Sequence, residues 1–119
     1  MLGSAHACAN PLTARYDTTH GHAVALMLPH VVRHNGETMG ALYDELSAGA
    51  GIAEGAEGLA RAVEALREKA LLPETLAAVG VDKNELPLLA AEASKQWTGT
   101  FNPRPMSEED FLRLYERAY

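Results

Sequence analysis

Cysteine is nearly absent from this sequence, since Cys8 is the only one among 119 residues. No disulfide can therefore form within the chain, and a single thiol fits a reducing, cytoplasmic location. Basic residues are also few: 10 lysines and arginines stand against 16 acidic residues, for a net charge of −6, and they form no cluster. Because nucleic acids and anionic membranes attract Lys/Arg patches, we expect neither as a partner.

Long hydrophobic runs and strand-like patterns are missing as well. No stretch approaches the roughly 20 apolar residues of a membrane span, and no N-terminal segment has the pattern of a signal peptide. No segment shows a persuasive alternation of apolar and polar residues with β-branched enrichment. We therefore expect a soluble protein with a single all-α domain over residues 1–119, which is long enough to bury a core.

A phosphate-binding loop is the last notable absence. The Gly- and Ala-rich stretch from Ser47 to Gly58 has neither G-x-G-x-x-G spacing nor a Lys-Ser/Thr ending. This composition favours a flexible connection over a nucleotide cradle.

The histidines, in contrast, are concentrated, and all five lie between residues 6 and 34. His6 and His20 are fourteen residues apart, and His20 is followed by Gly21 at the start of an apolar run that predicts a helix. Neutral imidazole is the commonest protein metal ligand, and two imidazoles from adjacent helices supply half of a four-coordinate site. Half a site does not by itself bind a metal, so the residues alone leave this role of His6 and His20 open.

The other histidines are weaker candidates. His30 and His34 are four apart and could form a zinc-binding pair on one helix face. We favour a second interpretation, in which they lie near the end of the helix, where the helix dipole favours a cation. His22 points roughly away from His20, and we give it a small chance of contacting the pocket.

Prolines and glycines predict the helix boundaries in the first half of the chain. Pro11 predicts that the first helix ends or kinks at Asn10. The helix that begins near His20 is apolar nearly all round, which predicts a central, buried helix with a kink at Pro29. The Asn35-Gly36 pair predicts that this helix stops.

The second half of the chain predicts further amphipathic helices. One spans Leu59 to Ala70, another begins near Leu86, and Ser107 with Asp110 caps the last one. Trp97 continues the apolar stripe of the second of these, so we favour a core anchor over a ring that stacks on a ligand.

Several of these motifs carry a family resemblance. The stretch GSAHACANPLTARYDTTHGHAVALMLPHVVRHN, together with Asn102-Pro103-Arg104 and the acidic helix that follows, resembles the C-terminal part of the iron-containing (group III) alcohol dehydrogenases. The resemblance covers nearly the whole chain. It implies the helical, dehydroquinate synthase-like domain of that family.

The resemblance also implies a function for the two histidines. His6 and His20 correspond to the last two ligands of a divalent metal, iron or sometimes zinc, whose other ligands are an Asp and a His nearer the N-terminus. Asn10 stands where the family usually has a second histidine, which relays protons or contacts the cofactor. An amide cannot titrate near neutral pH, so this difference calls proton transfer into question and leaves metal binding intact.

The expected function is therefore alcohol or aldehyde oxidoreduction with NAD(P) in a complete enzyme. The nucleotide-binding domain and two metal ligands are not among these residues, so we expect a fragment that is inactive alone. Its expected partner is that domain, a second chain or another copy in a homo-oligomer. Two alternatives remain: a non-enzymatic helical module that docks on another protein, and a metal-free enzyme resembling the maleylacetate reductases.

Overall fold

Five α-helices and three short 3₁₀ helices make up the regular structure of residues 3–119, which are the residues that the computed structural model describes. The α-helices are α1 (Ser4–Tyr16), α2 (His20–Gly49), α3 (Gly55–Lys69), α4 (Leu86–Ala93) and α5 (Glu108–Ala118). The 3₁₀ helices span Ala77–Val79, Lys83–Glu85 and Trp97–Phe101. No strand occurs in this part of the chain, so the all-α prediction is confirmed. None of the helices in residues 3–119 has both the length and the apolar character needed to cross a membrane.

The core lies between α1, the first half of α2, α4 and α5. Small residues on α1 allow its neighbours to approach closely, and larger side chains from the other helices fill the remaining space. The Tyr115 hydroxyl of α5 donates to the Cys8 carbonyl of α1 at 2.8 Å. Fully buried members of this core include Ala7, Cys8, Ala9, Leu12, Ala23, Leu26, Met27, Leu89, Ala90, Leu114 and Tyr115.

The prediction that the first helix ends or kinks at Asn10 is wrong in its boundary. Helix α1 runs through Pro11 to Tyr16, and Pro11 is itself buried. Proline removes one backbone hydrogen bond and is unfavourable in a helix interior by about 3 kcal/mol. Burial of Leu12 and of the alanines before Pro11 keeps the chain helical here, because packing outweighs this local preference.

Helix α2 continues through Pro29, where a kink was predicted, and past the predicted stop at Asn35-Gly36. Pro29 and Asn35-Gly36 are all helical, and the departure from helical dihedrals lies at Met39, with φ −114° and ψ 30°. Asn35 does not end the helix because its buried side chain is engaged elsewhere: its Nδ2 donates to the Tyr43 hydroxyl at 3.1 Å. The predicted stop at Asn35-Gly36 is therefore wrong, and the helix is longer than expected.

Helices α2 and α3 form a hairpin joined by residues 50–54, a shorter connection than predicted. A Cβ added at Gly36 would lie 2.4 Å from the Cβ of Ala56, so the two helices approach closely there. Arg33 spans the pair, donating to Glu57 at 2.8 Å and to Glu64 at 2.5 Å. The predicted helix at Leu59–Ala70 is confirmed as α3.

The remaining helices begin where the sequence predicts. Helix α4 starts at Leu86. A reciprocal capping box between Ser107 and Asp110 starts α5, and the expected face of Phe111, Leu114, Tyr115 and Ala118 is buried.

Trp97 does not anchor the core. Helix α4 ends at Ala93, and the chain continues into a 3₁₀ helix at Trp97, so the α-helical spacing that linked this residue to the apolar stripe is lost. The side chain is 64% exposed. The prediction of a buried Trp97 is wrong.

Candidate metal and active site

The fold brings His6 and His20 together. His6 lies in the first turn of α1, and His20 is the first residue of α2. Their ring centres are 5.3 Å apart, with a tilt of 47° between the ring planes. Two histidines that are fourteen residues apart in sequence thus share one site.

The His pair faces the solvent side of the helix crossing. His6 is half-buried and His20 is exposed. The Thr13 Oγ1 atom of α1 lies 3.5 Å from Nδ1 of His20. This long contact places a hydroxyl beside one ring nitrogen, and the partner of one ring nitrogen sets which nitrogen carries the proton.

The separation of the rings is suitable for a shared metal ion. A ligand nitrogen lies about 2.0–2.1 Å from zinc and roughly 1.1 Å from its own ring centre, so two imidazoles on one tetrahedral metal have centres about 5 Å apart. The observed 5.3 Å matches this spacing. Two ligand nitrogens on one tetrahedral metal should also lie about 3 to 4 Å from each other, and this distance stays a prediction for His6 and His20.

The described residues supply two imidazole donors at this site and no larger set of metal ligands. Within residues 3–119, no group of three or more His, Cys, Asp or Glu side chains is arranged to hold a metal ion. Cys8 is buried, and this burial raises the pKa of its thiol, which opposes the thiolate form that binds metals.

Asn10 lies one turn after His6 on α1, and its side chain is held in place. Its Nδ2 donates to Oε1 of Gln96 at 2.9 Å, a bond between α1 and the segment that leads into the Trp97 turn. That bond does not use the Asn10 carbonyl oxygen, which is an acceptor. Its predicted role in cofactor binding stays a prediction.

The other helical histidines are far from helix ends, and their surroundings favour the neutral ring. His30 and His34 lie in the middle of α2, and His34 is 4% exposed. Burial, reinforced by Arg33, lowers the pKa of His30 to about 4. Burial also lowers the pKa of His34, and Arg104 adds to this effect. The interpretation of these residues as cations at a helix end is wrong. The interpretation that His22 has only a small chance of contacting the pocket stays a prediction.

Two asparagines of the family motifs form a reciprocal pair of hydrogen bonds that the sequence did not predict. Nδ2 of Asn35 donates to Oδ1 of Asn102 at 3.0 Å, and Nδ2 of Asn102 donates to Oδ1 of Asn35 at 2.8 Å. Arg104 then donates to the His34 carbonyl at 2.6 Å and to Glu37 at 2.8 Å. These residues fasten the loop before α5 to the middle of α2.

A cavity of about 270 Å³ runs along α2 beside His6. Its walls are apolar side chains that follow His20 at helical spacing, among them Val24, Leu28 and Val31. Asn35 and Tyr43 line it together with Asn102. The His pair therefore adjoins an apolar cleft with a polar far end.

Comparison with known proteins agrees with these motifs. The model of the Fe-containing alcohol dehydrogenase family, C-terminal, matches residues 1–119. The chain is 36% identical over 125 residues to a lactaldehyde reductase of Escherichia coli (strain K12), covering 99% of this chain and 33% of that protein. It is 32% identical over 129 residues to a 1,3-propanediol dehydrogenase of Citrobacter freundii, covering 99% of this chain and 32% of that protein.

A solved structure has the same helical arrangement. The alcohol dehydrogenase from Oenococcus oeni matches with a TM-score of 0.91 and 28% identity, over 98% of this chain and 32% of that one. The chain thus spans about a third of the length of the relatives that it matches.

Proposed function

Since the chain belongs to the Fe-containing alcohol dehydrogenase family, as its C-terminal domain, we propose that it provides His6 and His20 as two ligands of a divalent metal in an NAD(P)-dependent alcohol or aldehyde oxidoreductase. The observation that carries this proposal is the pair of imidazole rings, 5.3 Å apart, donated by two different helices. Iron is the metal that the family name favours, and zinc suits the same donors.

The two helices are responsible for orienting the donors. His6 is followed by the fully buried Ala7, Cys8 and Ala9, and His20 precedes the buried Ala23, so both rings stand at the edge of the packed core. When bound, a divalent metal acts as a Lewis acid that polarises an alcohol or carbonyl oxygen. The cleft beside His6 leaves apolar space next to that position.

Asn10 is proposed to contact the cofactor without moving a proton. Its amide has no protonation change near neutral pH, so it serves as a hydrogen-bonding group only. Proton transfer in this protein is therefore assigned to a group other than Asn10. The bond from Asn10 to Gln96 holds the amide at a fixed place on the site face of α1.

The remaining parts of the catalytic apparatus are proposed to come from outside these 119 residues. We propose that two further metal ligands and the nucleotide-binding domain belong either to the same polypeptide or to a second, different chain. Assembly of several copies into a homo-oligomer is a separate proposal. The 119 residues by themselves are expected to show no NAD(P)-dependent alcohol oxidation. A cytoplasmic location stays a prediction from the single cysteine.

Metal titration of the purified, tag-free chain tests the proposal. Isothermal calorimetry with Zn²⁺ and the visible absorption of added Co²⁺ report binding at histidine sites. We expect a weak site for one metal ion, which His6→Ala and His20→Ala each weaken by about tenfold or more, because each variant loses one of two protein ligands.

His22→Ala is the matched control, since it removes an imidazole from the same turn of α2 and is expected to leave the affinity unchanged. Equal affinities in the wild-type chain and both ligand variants would show that His6 and His20 do not bind the metal. That result would favour a metal-free reductase or a helical docking module.

A further inference from the structure

The chain has one tryptophan, and it is displayed on the surface with a second aromatic ring. Trp97 is 64% exposed and Phe101 is 53% exposed. Their ring centres are 5.7 Å apart, and the planes meet at 84°. Two nearly perpendicular rings form an open apolar corner, and such a corner can receive a hydrocarbon group against both rings.

This corner is attached to the helix that carries His6. Gln96, the residue before Trp97, accepts the 2.9 Å hydrogen bond from Asn10. The same 3₁₀ turn packs on α1 at Gly99, where an added Cβ would lie 3.6 Å from Ala7. Asn10 is one turn from His6, so the aromatic corner borders the face of α1 that carries His6.

The charges around the corner favour a neutral ligand. Residues 96–101 carry no ionisable side chain. Arg15, the cation that α1 provides, is held by Glu92 at 2.8 Å. The same carboxylate attracts Lys95, which is exposed just before this segment. A carboxylate or sulfonate would find no cation among residues 96–101 and would lose hydration against two apolar rings.

The small size of the corner favours a small molecule over a protein surface. The exposed leucines Leu42, Leu46 and Leu66 lie on α2 and α3, which are different elements from the Trp97–Phe101 turn. Protein interfaces need a much larger continuous area than two rings provide.

We propose that Trp97 and Phe101 form the wall of the substrate site that contacts the hydrocarbon part of a neutral alcohol or aldehyde. This inference rests on the proposed oxidoreductase function. It makes Trp97 and Phe101 determinants of specificity, which select apolar or aromatic neutral substrates over acidic ones, and it gives them no part in the chemical step.

The single tryptophan provides a direct test in the 119-residue chain. Its indole N–H gives one signal in a ¹H–¹⁵N spectrum, and that signal is followed during titration with benzyl alcohol and, separately, with benzoate. We expect benzyl alcohol to shift the indole signal and the side-chain amide signals of Asn10 and Gln96 along one saturation curve. Benzoate is expected to bind more weakly.

Variants separate the wall from the rest of the site. Phe101→Ala keeps the indole signal and is expected to weaken benzyl alcohol binding by roughly two- to tenfold, the range for loss of one aromatic partner. Trp97→Ala is expected to weaken it similarly, as followed by the Asn10 amide. Leu71→Ala, which removes a 91% exposed apolar side chain elsewhere, serves as the control and is expected to change nothing.

The proposal is overturned if the shifts do not saturate, if benzoate binds equally well, or if Phe101→Ala binds benzyl alcohol as the wild type does. These titrations are made without metal. A chain that binds benzyl alcohol here but shows no histidine-dependent metal binding would keep the aromatic wall and refute the metal site, so the two failures are distinguishable.

Discussion

The two halves of α2 are held in different ways, although they belong to one continuous helix. The half that starts at His20 buries Ala23, Leu26 and Met27 completely in the core. The half that ends at Gly49 exposes Leu42 by 42% and Leu46 by 52%. Apolar burial is therefore concentrated where the candidate metal ligands are.

The second half of α2 depends instead on its pairing with α3. Gly36 allows close approach to Ala56, and Arg33, just before the midpoint of α2, joins both Glu57 and Glu64. Close backbone packing and partly exposed ion pairs replace a hydrophobic core in this hairpin. The candidate site therefore lies on the well-packed part of the fold, and we expect the hairpin to tolerate changes that the core does not.

The largest effect is expected from a cavity in the core. Leu26→Ala removes a fully buried side chain and is expected to lower the free energy of unfolding by about 2–5 kcal/mol. Leu46→Ala in the hairpin is the matched control, with an expected change within about 0.5 kcal/mol. Urea unfolding followed by circular dichroism measures both. Similar losses of unfolding free energy in the two variants would contradict the conclusion that apolar burial is concentrated in the first half of α2.

The next largest effect is expected at the close approach of α2 and α3. Gly36→Ala brings its new methyl group against Ala56 and is expected to lower the free energy of unfolding by about 1–3 kcal/mol. Gly40→Ala, where nothing lies within 4 Å of the added Cβ, is expected to be neutral or slightly stabilising. The same unfolding assay applies. The double variant Gly36→Ala/Ala56→Gly should recover part of the loss; no recovery would mean that Ala56 is not the obstacle.

A pH-dependent loss of stability is expected from the buried histidines of α2. Folding lowers the pKa of His30 to about 4 and also lowers that of His34, whereas both titrate near 6.5 when unfolded. The unfolded state then binds more protons, so stability falls as pH decreases from about 6.5 towards 4, by roughly 1–2 kcal/mol.

Urea unfolding at several pH values measures this slope. His30→Gln and His34→Gln each remove one titrating group and are expected to flatten the slope, whatever they do to stability at neutral pH. An unchanged slope in both variants would assign the acid sensitivity to other groups.

The smallest effect is expected from the ion pairs of the hairpin. Arg33→Gln is expected to lower the free energy of unfolding by about 1 kcal/mol or less, because the Arg33 side chain is 27% exposed and its pairs are partly screened by water. Raising the salt concentration to about 1 M should narrow the difference from the wild type. Arg61→Gln, an exposed pair on α3, is the control with almost no expected effect. Salt-independent destabilisation would point to lost packing of the Arg33 side chain.

Local patterns were sufficient for much of the fold. The Ser107–Asp110 capping box, the start of α4 at Leu86 and the helix over Leu59–Ala70 were all predicted from residues close together in sequence. Capping and helical periodicity are short-range effects, so neighbouring residues determine them. The family resemblance rested likewise on short motifs, and the match over the whole chain confirms it.

Predictions failed where tertiary packing opposed a local preference. Pro11 lies inside α1, although proline locally favours a break, because it is buried among packed neighbours. Asn35 has the local character of a helix stop, but its amide pairs with Asn102, sixty-seven residues away. No pattern around Asn35 alone carries that partner.

For the candidate site too, some features follow from the sequence alone and others only from the tertiary structure. Residue type, spacing and family motif were enough to select His6 and His20, because imidazole chemistry belongs to the side chain itself. Only the crossing of α1 and α2 decided that their rings lie 5.3 Å apart. Likewise, the sequence determined that residue 97 is an aromatic tryptophan. The end of α4 at Ala93 and the turn that follows decided that Trp97 is exposed, next to the Gln96 side chain that Asn10 contacts. Burial depends on which helices meet, and only the tertiary structure decides that.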